Sequence, residues 1–187
     1  MKTFITSDLH FFHKGIMTFD SGTKRKHFTS VDEMNETLIS NWNSVVGKDD
    51  YVYNLGDLGM CGANKLRPLL SQLNGKHHLI LGNHDKMKEI NKIKELFVSI
   101  DYYKEIKYGY DGVNYHICMM HYPIASWNRI HYASIMMHGH SHGMYQGLGK
   151  TFDVGVDTEL GNLFPIQMEK AIEYSKSLET VKIVKDV

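Results

Sequence analysis

The chain is poor in cysteine and proline, carries no net charge and has no long apolar run, and each shortage excludes something. Its two cysteines, Cys61 and Cys118, are too few and too far apart in 187 residues for a disulfide framework. They read as small buried apolar groups in a reduced, cytoplasmic setting. No apolar stretch approaches the roughly 18 residues of a membrane span. Lys+Arg and Asp+Glu both number 21, so no general attraction to nucleic acid or anionic membrane is built in. With three prolines and no repeat or low-complexity tract, nothing reads as a linker, and the length fits one domain, 1–187. The first seven residues already read as a strand, which leaves no room for a signal peptide.

What is present is an alternation of short apolar runs and helical patterns, the signature of an α/β domain. Strands are expected over 2–6, 51–55, 78–81, 113–120, 135–138 and 152–156. Asp111-Gly112 is a two-residue turn joining 103–110 to 113–120. Ser30 followed by Glu33 has capping-box form, and Val31, Met34, Leu38, Trp42 and Val45 continue at helical spacing. Further helices are expected over 65–73, 87–97 and 167–178; Pro68 suits the first of these only in its opening turn. The segment 11–29 reads as a long loop, either a lid or a packed surface loop. The 11 methionines read as core filling.

Five polar clusters follow these strands: Asp8-Leu9-His10, Gly56-Asp57, Gly82-Asn83-His84-Asp85, His121 and Gly139-His140-Ser141-His142. At the C-terminal edge of an α/β sheet, loops from distant parts of the chain converge on one crevice. The donors are carboxylate, imidazole and amide without thiolate, which suits Mn, Fe or Zn, and Mg less well. Seven candidate ligands among them, Asp8, His10, Asp57, Asn83, His121, His140 and His142, are too many for one ion and right for two that share a carboxylate. Two ions can activate a water and stabilise both attacking and leaving oxygens of a phosphate ester.

In order and type, these clusters resemble the motifs of the calcineurin-like metallophosphoesterase superfamily: DxH, GD, GNH[DE], a lone His and GHxH. The resemblance spans Asp8 to His142. It implies two facing mixed β-sheets flanked by helices, a four-layer αββα sandwich. It further implies that Asp8, His10, Asp57 and His142 hold one ion, and that Asp57, Asn83, His121 and His140 hold the other, with Asp57 bridging. His84 would be the catalytic acid, with Asp85 orienting it. The implied reaction is in-line attack on phosphorus by a metal-bound hydroxide, with no covalent intermediate.

Other histidines are read separately. His77 and His78 read as surface or edge residues, and Lys24-Arg25-Lys26-His27 as a solvated turn. His116 and His138 read as core or sheet-face residues, and His138 also as an outer neighbour of the cluster. His13, three residues past His10, is placed near the phosphate, and Phe11 and Phe12 beside it are suited to stack on a base. Arg129 and His131, between two motifs, are placed within reach of substrate. The expected substrate is a small phosphodiester, phosphomonoester or nucleotide. The alternatives are a protein phosphatase, or a non-catalytic binding module like the superfamily's retromer subunit. A nuclease is disfavoured by the neutral charge and the lack of a second, DNA-binding region. Oligomeric state is not legible.

Overall fold

Two sheets stack face to face, and the side-chain alternation of their strands divides the interior in two. The computed structural model describes residues 1–19 and 23–182. The first sheet runs in the order β4-β3-β2-β1-β9, with β1 (Thr3–Thr6), β2 (Tyr51–Asn54), β3 (Lys76–Ile80) and β4 (Phe97–Asp101) parallel and β9 (Ile166–Gln167) antiparallel to β1. The second is β5-β6-β7-β8, built from β5 (Tyr103–Tyr110), β6 (Val113–Met120), β7 (Ile135–His138) and β8 (Thr151–Asp153). Phe4, Val52 and Leu79 face a core shared with α1 (Val31–Val45) and α2 (Ala63–Leu70). On the opposite face, Ile5, Leu55 and Ile80 meet the second sheet's Ile117, Met119, Ile135 and Met137, with α4 (Met168–Lys176) closing the side. Such alternation is what a period-two chain buried on both faces of a sheet requires.

The expected arrangement of facing sheets flanked by helices is therefore what the chain forms. The outer cover of the second sheet is thin: Trp127, Ile124 and Ile130 pack on Cys118 and Met136 from the segment joining β6 to β7. Local signals hold well. Ser30 accepts from the backbone N–H of Glu33 at 3.1 Å and caps α1. Asp111 and Gly112 both have positive φ, 50° and 73°, as a tight Asp-Gly hairpin demands.

Three expectations are corrected. The helix over 87–97 shrinks to α3 (Met87–Ile90) and a 3-10 segment broken at Ile93 (φ −128°, ψ 18°), after which the chain enters β4. Pairing with β3 overrides the helical spacing, and β-branched Val98 and Ile100 suit the strand. That pairing makes β3 an interior strand, so His78 is not an edge residue: it stacks on Tyr53 with ring centroids 4.6 Å apart and bonds Ser99 Oγ at 2.8 Å. Helix α2 starts at Ala63, earlier than expected, which moves Pro68 to the second turn. The helix loses one backbone bond there and is held by the burial of Leu66, Leu69 and Leu70.

Of the two readings of 11–29, the packed surface loop is the one the chain forms. Phe11, Ile16, Arg25 and Phe28 are buried, and Lys14–Met17 forms a 3-10 turn. Its described residues are a packed surface segment. Phe11 is fully enclosed, so it offers no face to a base, and Phe12 packs partly buried against the core beneath the Lys65 ammonium.

Candidate metal centre

The polar clusters meet at one edge of the stacked sheets. Asp8 and His10 leave β1, Asp57 leaves β2 and Asn83 and His84 follow β3, while His121 leaves β6 and His140 and His142 leave β7. The backbone turns hard at these points. Asp8, His10, Asp57, His140 and His142 all have φ between 48° and 69°, the left-handed region that side-chain-bearing residues rarely occupy. The adjoining glycines admit close approach: a Cβ on Gly82 would overlap the Asp57 carboxylate, and one on Gly139 would overlap Ser7 and Asp8.

Asp57 lies at the middle. Its Oδ2 is 3.6 Å from His10 Nε2, 3.5 Å from His121 Nε2 and 3.9 Å from His84 Nε2. Asn83 Oδ1 lies 3.0 Å from both His121 Nε2 and His140 Nδ1. His10 Nε2 is 3.8 Å from Asp8 Oδ1. Both of these atoms are buried without a hydrogen-bond partner among the described residues. Buried polar atoms are rarely left so. Two aimed at one point, one an imidazole nitrogen and one a carboxylate oxygen, fit a divalent cation. Donor atoms of Asp8, His10 and His142 lie within 4.8 Å of one another, as do those of Asp8, Asp57 and His121. By that measure Asp8 is common to both sets, whereas Asp57 reaches one histidine of each.

The electrostatics favour a cation at this point. Burial, then the nearby Asp153 carboxylate, push Asp8 up to about 7. Burial, then the Arg25 charge, hold His10 down to about 2, so its imidazole is neutral, the form that binds metal. A cation would relieve the cost of ionising Asp8 in this setting.

Two residues that the sequence analysis did not bring forward support the edge from behind. Arg25, read as part of a solvated turn, is fully buried. Its guanidinium pairs in a fork with Asp157, Nε to Oδ1 and Nη2 to Oδ2, both at 3.0 Å. It also donates to the carbonyls of Leu9, at 2.6 Å, and Asp8. Asp157 Oδ2 in turn holds His142 Nδ1 at 2.8 Å, which leaves Nε2 of that ring to face the cluster. Burial opposes ionisation of Asp157, but the His142 bond and the Arg25 charge outweigh it and hold the carboxyl down to about 2. For Asp157 a signal existed: Val154-Gly155-Val156-Asp157 repeats the apolar-run-then-polar pattern of the other clusters. Arg25 had none, because a basic run reads as solvated whatever one member does.

Other expected site residues fall as follows. His13 joins the cluster, its Nδ1 3.4 Å from His10 Nδ1 and its ring centroid 6.3 Å from that of His84. Asp85 is close but does not hold the His84 ring. Its carboxylate accepts the backbone N–H groups of Asp57, Leu58 and Gly82 at 2.8–2.9 Å, stitching two loops together. Arg129 and His131 are not brought here. They precede β7, at the end of that strand opposite His140 and His142. Arg129 lies over the Tyr132 ring, and His131 Nδ1 is 3.2 Å from the Val181 carbonyl. His138 is buried, with Nδ1 on the Gly139 carbonyl at 2.9 Å.

A family model described as calcineurin-like phosphoesterase matches residues 1–165. An uncharacterised protein of Methanocaldococcus jannaschii is 32% identical over 193 residues, covering 100% of this chain and 98% of its own length. The crystal structure of a protein of unknown function from Aquifex aeolicus superposes with a TM-score of 0.68 at 23% identity, covering 92% of this chain and 98% of that one.

Proposed function

From the premise that this chain belongs to the calcineurin-like phosphoesterase family, we propose that it is a hydrolase using two divalent ions to cleave a small phosphate ester, with a phosphodiester or nucleotide favoured. The observation that carries the reading is the pair of unpartnered buried atoms, Asp8 Oδ1 and His10 Nε2, beside the Asp57 carboxylate. Asp8, His10, Asp57 and His142 would hold one ion, and Asp57, Asn83, His121 and His140 the other. Mn, Fe or Zn suits these donors, and Mg less well. Bound there, such ions would polarise the phosphoryl group and make a water acidic.

The chain's own groups supply the rest. His84, about a third exposed, faces outward from Asp57 and can hand its Nε2 proton to the departing ester oxygen. His13 at the same mouth can donate to a phosphoryl oxygen. Beside Asn83 and His84 lies a cavity of about 420 Å³, lined also by Met60, Cys61, Gly62 and Lys86. That volume fits a small leaving group rather than a protein segment. No described helix is long and apolar enough to cross a membrane.

The test is a panel of phosphate esters, including bis-p-nitrophenyl phosphate, p-nitrophenyl phosphate, cyclic nucleotides and a phosphopeptide, assayed with added Mn and after exhaustive chelation. Activity on diesters or nucleotides that vanishes on chelation is expected. Full activity in protein shown to be metal-free would end the reading, and rapid turnover of the phosphopeptide alone would end the substrate assignment.

Asp157→Asn provides a finer check. It removes the charge that orients His142, and outer partners of metal-binding histidines are worth about 10–100-fold in affinity. One ion should therefore weaken by that factor in a metal titration while the other binds as before. Equal binding of both ions would show that the Asp157–His142 bond does not matter to the centre.

A further inference from the structure

A second group of metal-binding side chains lies outside the centre, on the outer face of the second sheet. Strands β5 and β6 pair antiparallel, with Glu105 opposite Cys118 and Lys107 opposite His116. Side chains alternate along a strand, so Glu105, His116 and Cys118 share one face, while Ile117 and Met119 point into the core. One carboxylate oxygen, one imidazole nitrogen and one sulfur all fall within 4.8 Å of one another.

We propose that Glu105, His116 and Cys118 form a separate site for a thiophilic divalent cation of the zinc class. The frame is rigid: the three side chains stand on adjacent strands of one hairpin, and their neighbours fix them. Glu105 Oε1 accepts from the Tyr103 hydroxyl at 2.7 Å, and Oε2 accepts from Asn128 Nδ2 at 2.9 Å. His116 Nε2 lies 2.7 Å from Glu105 Oε2, aimed into the cluster. Cys118 is fully buried beside Trp127 and Met136, and its Sγ makes a long contact of 3.7 Å to the Asn128 carbonyl and meets the Tyr103 hydroxyl. The thiol thus forms an apolar-backed floor, and the partly exposed Glu105 and His116 form the mouth through which an ion enters.

The donor set selects the ion. Sulfur, nitrogen and oxygen together match zinc sites, whereas the centre at the sheet edge offers only nitrogen and oxygen. On binding, the Cys118 thiol releases its proton to solvent and the sulfur lone pair goes to the ion. The Glu105–His116 hydrogen bond opens and both groups turn to the same cation. The ion would lock β5 to β6 beneath the segment that carries Trp127 and Asn128.

Cobalt(II) distinguishes this site from the other, because only a thiolate ligand gives a sulfur-to-cobalt charge-transfer band in the near ultraviolet. Titration of the whole protein with cobalt should produce that band, its final intensity corresponding to one thiolate-bound cobalt per chain, and zinc should abolish it. Cys118→Ser should remove the band, and His116→Gln, which leaves the sulfur in place, should weaken cobalt binding at least about tenfold. Cys61→Ser should leave it intact, since Cys61 lines the cavity beside His84 instead. The proposal is overturned if wild-type protein shows no band at saturating cobalt, or if the band survives Cys118→Ser. It also falls if the band follows Cys61, or if His116→Gln binds cobalt as tightly as wild type. None of these results depends on phosphoesterase activity.

Discussion

His84→Ala is expected to slow turnover by about 10²–10⁴-fold, the usual worth of a positioned acid, while both ions stay bound. The geometry separates the two effects. The His84 backbone N–H donates to Asp57 Oδ1 at 2.9 Å, and alanine keeps that bond, so the carboxylate at the middle of the site is not released. What is lost is the imidazole, whose Nε2 stands 3.9 Å from Asp57 Oδ2, on the open side. The loss should scale with the leaving group: large for an alkyl ester, whose oxygen needs the proton, and smaller for a p-nitrophenyl ester, whose oxygen departs readily without one. Rates on the two ester types, with metal content measured on the same samples, test this. A variant that has shed its metals, or that slows both esters alike, would remove His84 from the role of acid.

Asp57→Ala should have the opposite character: metal content collapses, and activity falls to background with it. Asp57 Oδ2 lies within 3.6 Å of the imidazole nitrogens of both His10 and His121, between the two proposed ions. Without it, Asp8 is the one carboxylate left in the ligand set. Removing a partner from a buried charged network leaves the remaining groups uncompensated. Asp57→Asn, which preserves shape and an acceptor oxygen, should retain more metal than alanine does. Quantitative metal analysis after gel filtration decides the matter. Two ions still bound at wild-type affinity in Asp57→Ala would refute the shared-carboxylate arrangement.

The legible parts of the molecule were those written in adjacent residues. The Ser30 cap, the Asp111-Gly112 hairpin and the clusters at strand ends are local, and each is where its spacing placed it. Illegible features depend on partners distant in sequence. Strand β4 was hidden because Ile90, Ile93 and Phe97 also satisfy a helical period, and its pairing with β3 decided otherwise. Arg25 looked solvated because its partner is Asp157, 132 residues away. Arg129 and His131 looked near the substrate because they sit between two motifs in sequence. A strand crosses the sheet from one edge to the other, so a residue before β7 lies at the opposite end from one after it.

The groups gathered at the edge come from both sheets, three loops from the first and two from the second. Ions held as proposed would act as a tie-bar between two layers otherwise joined by apolar contact and a few backbone bonds, such as Val156 N–H to the Ser7 carbonyl at 3.1 Å. Mass action then links catalysis to durability. At free metal of about 100 times the dissociation constant, a ligand specific to the folded state adds about 2.7 kcal/mol per site. That reserve drains away as metal becomes scarce. Scarcity would therefore do more than stop the proposed catalysis: it would loosen the layers and leave the chain more open to proteases.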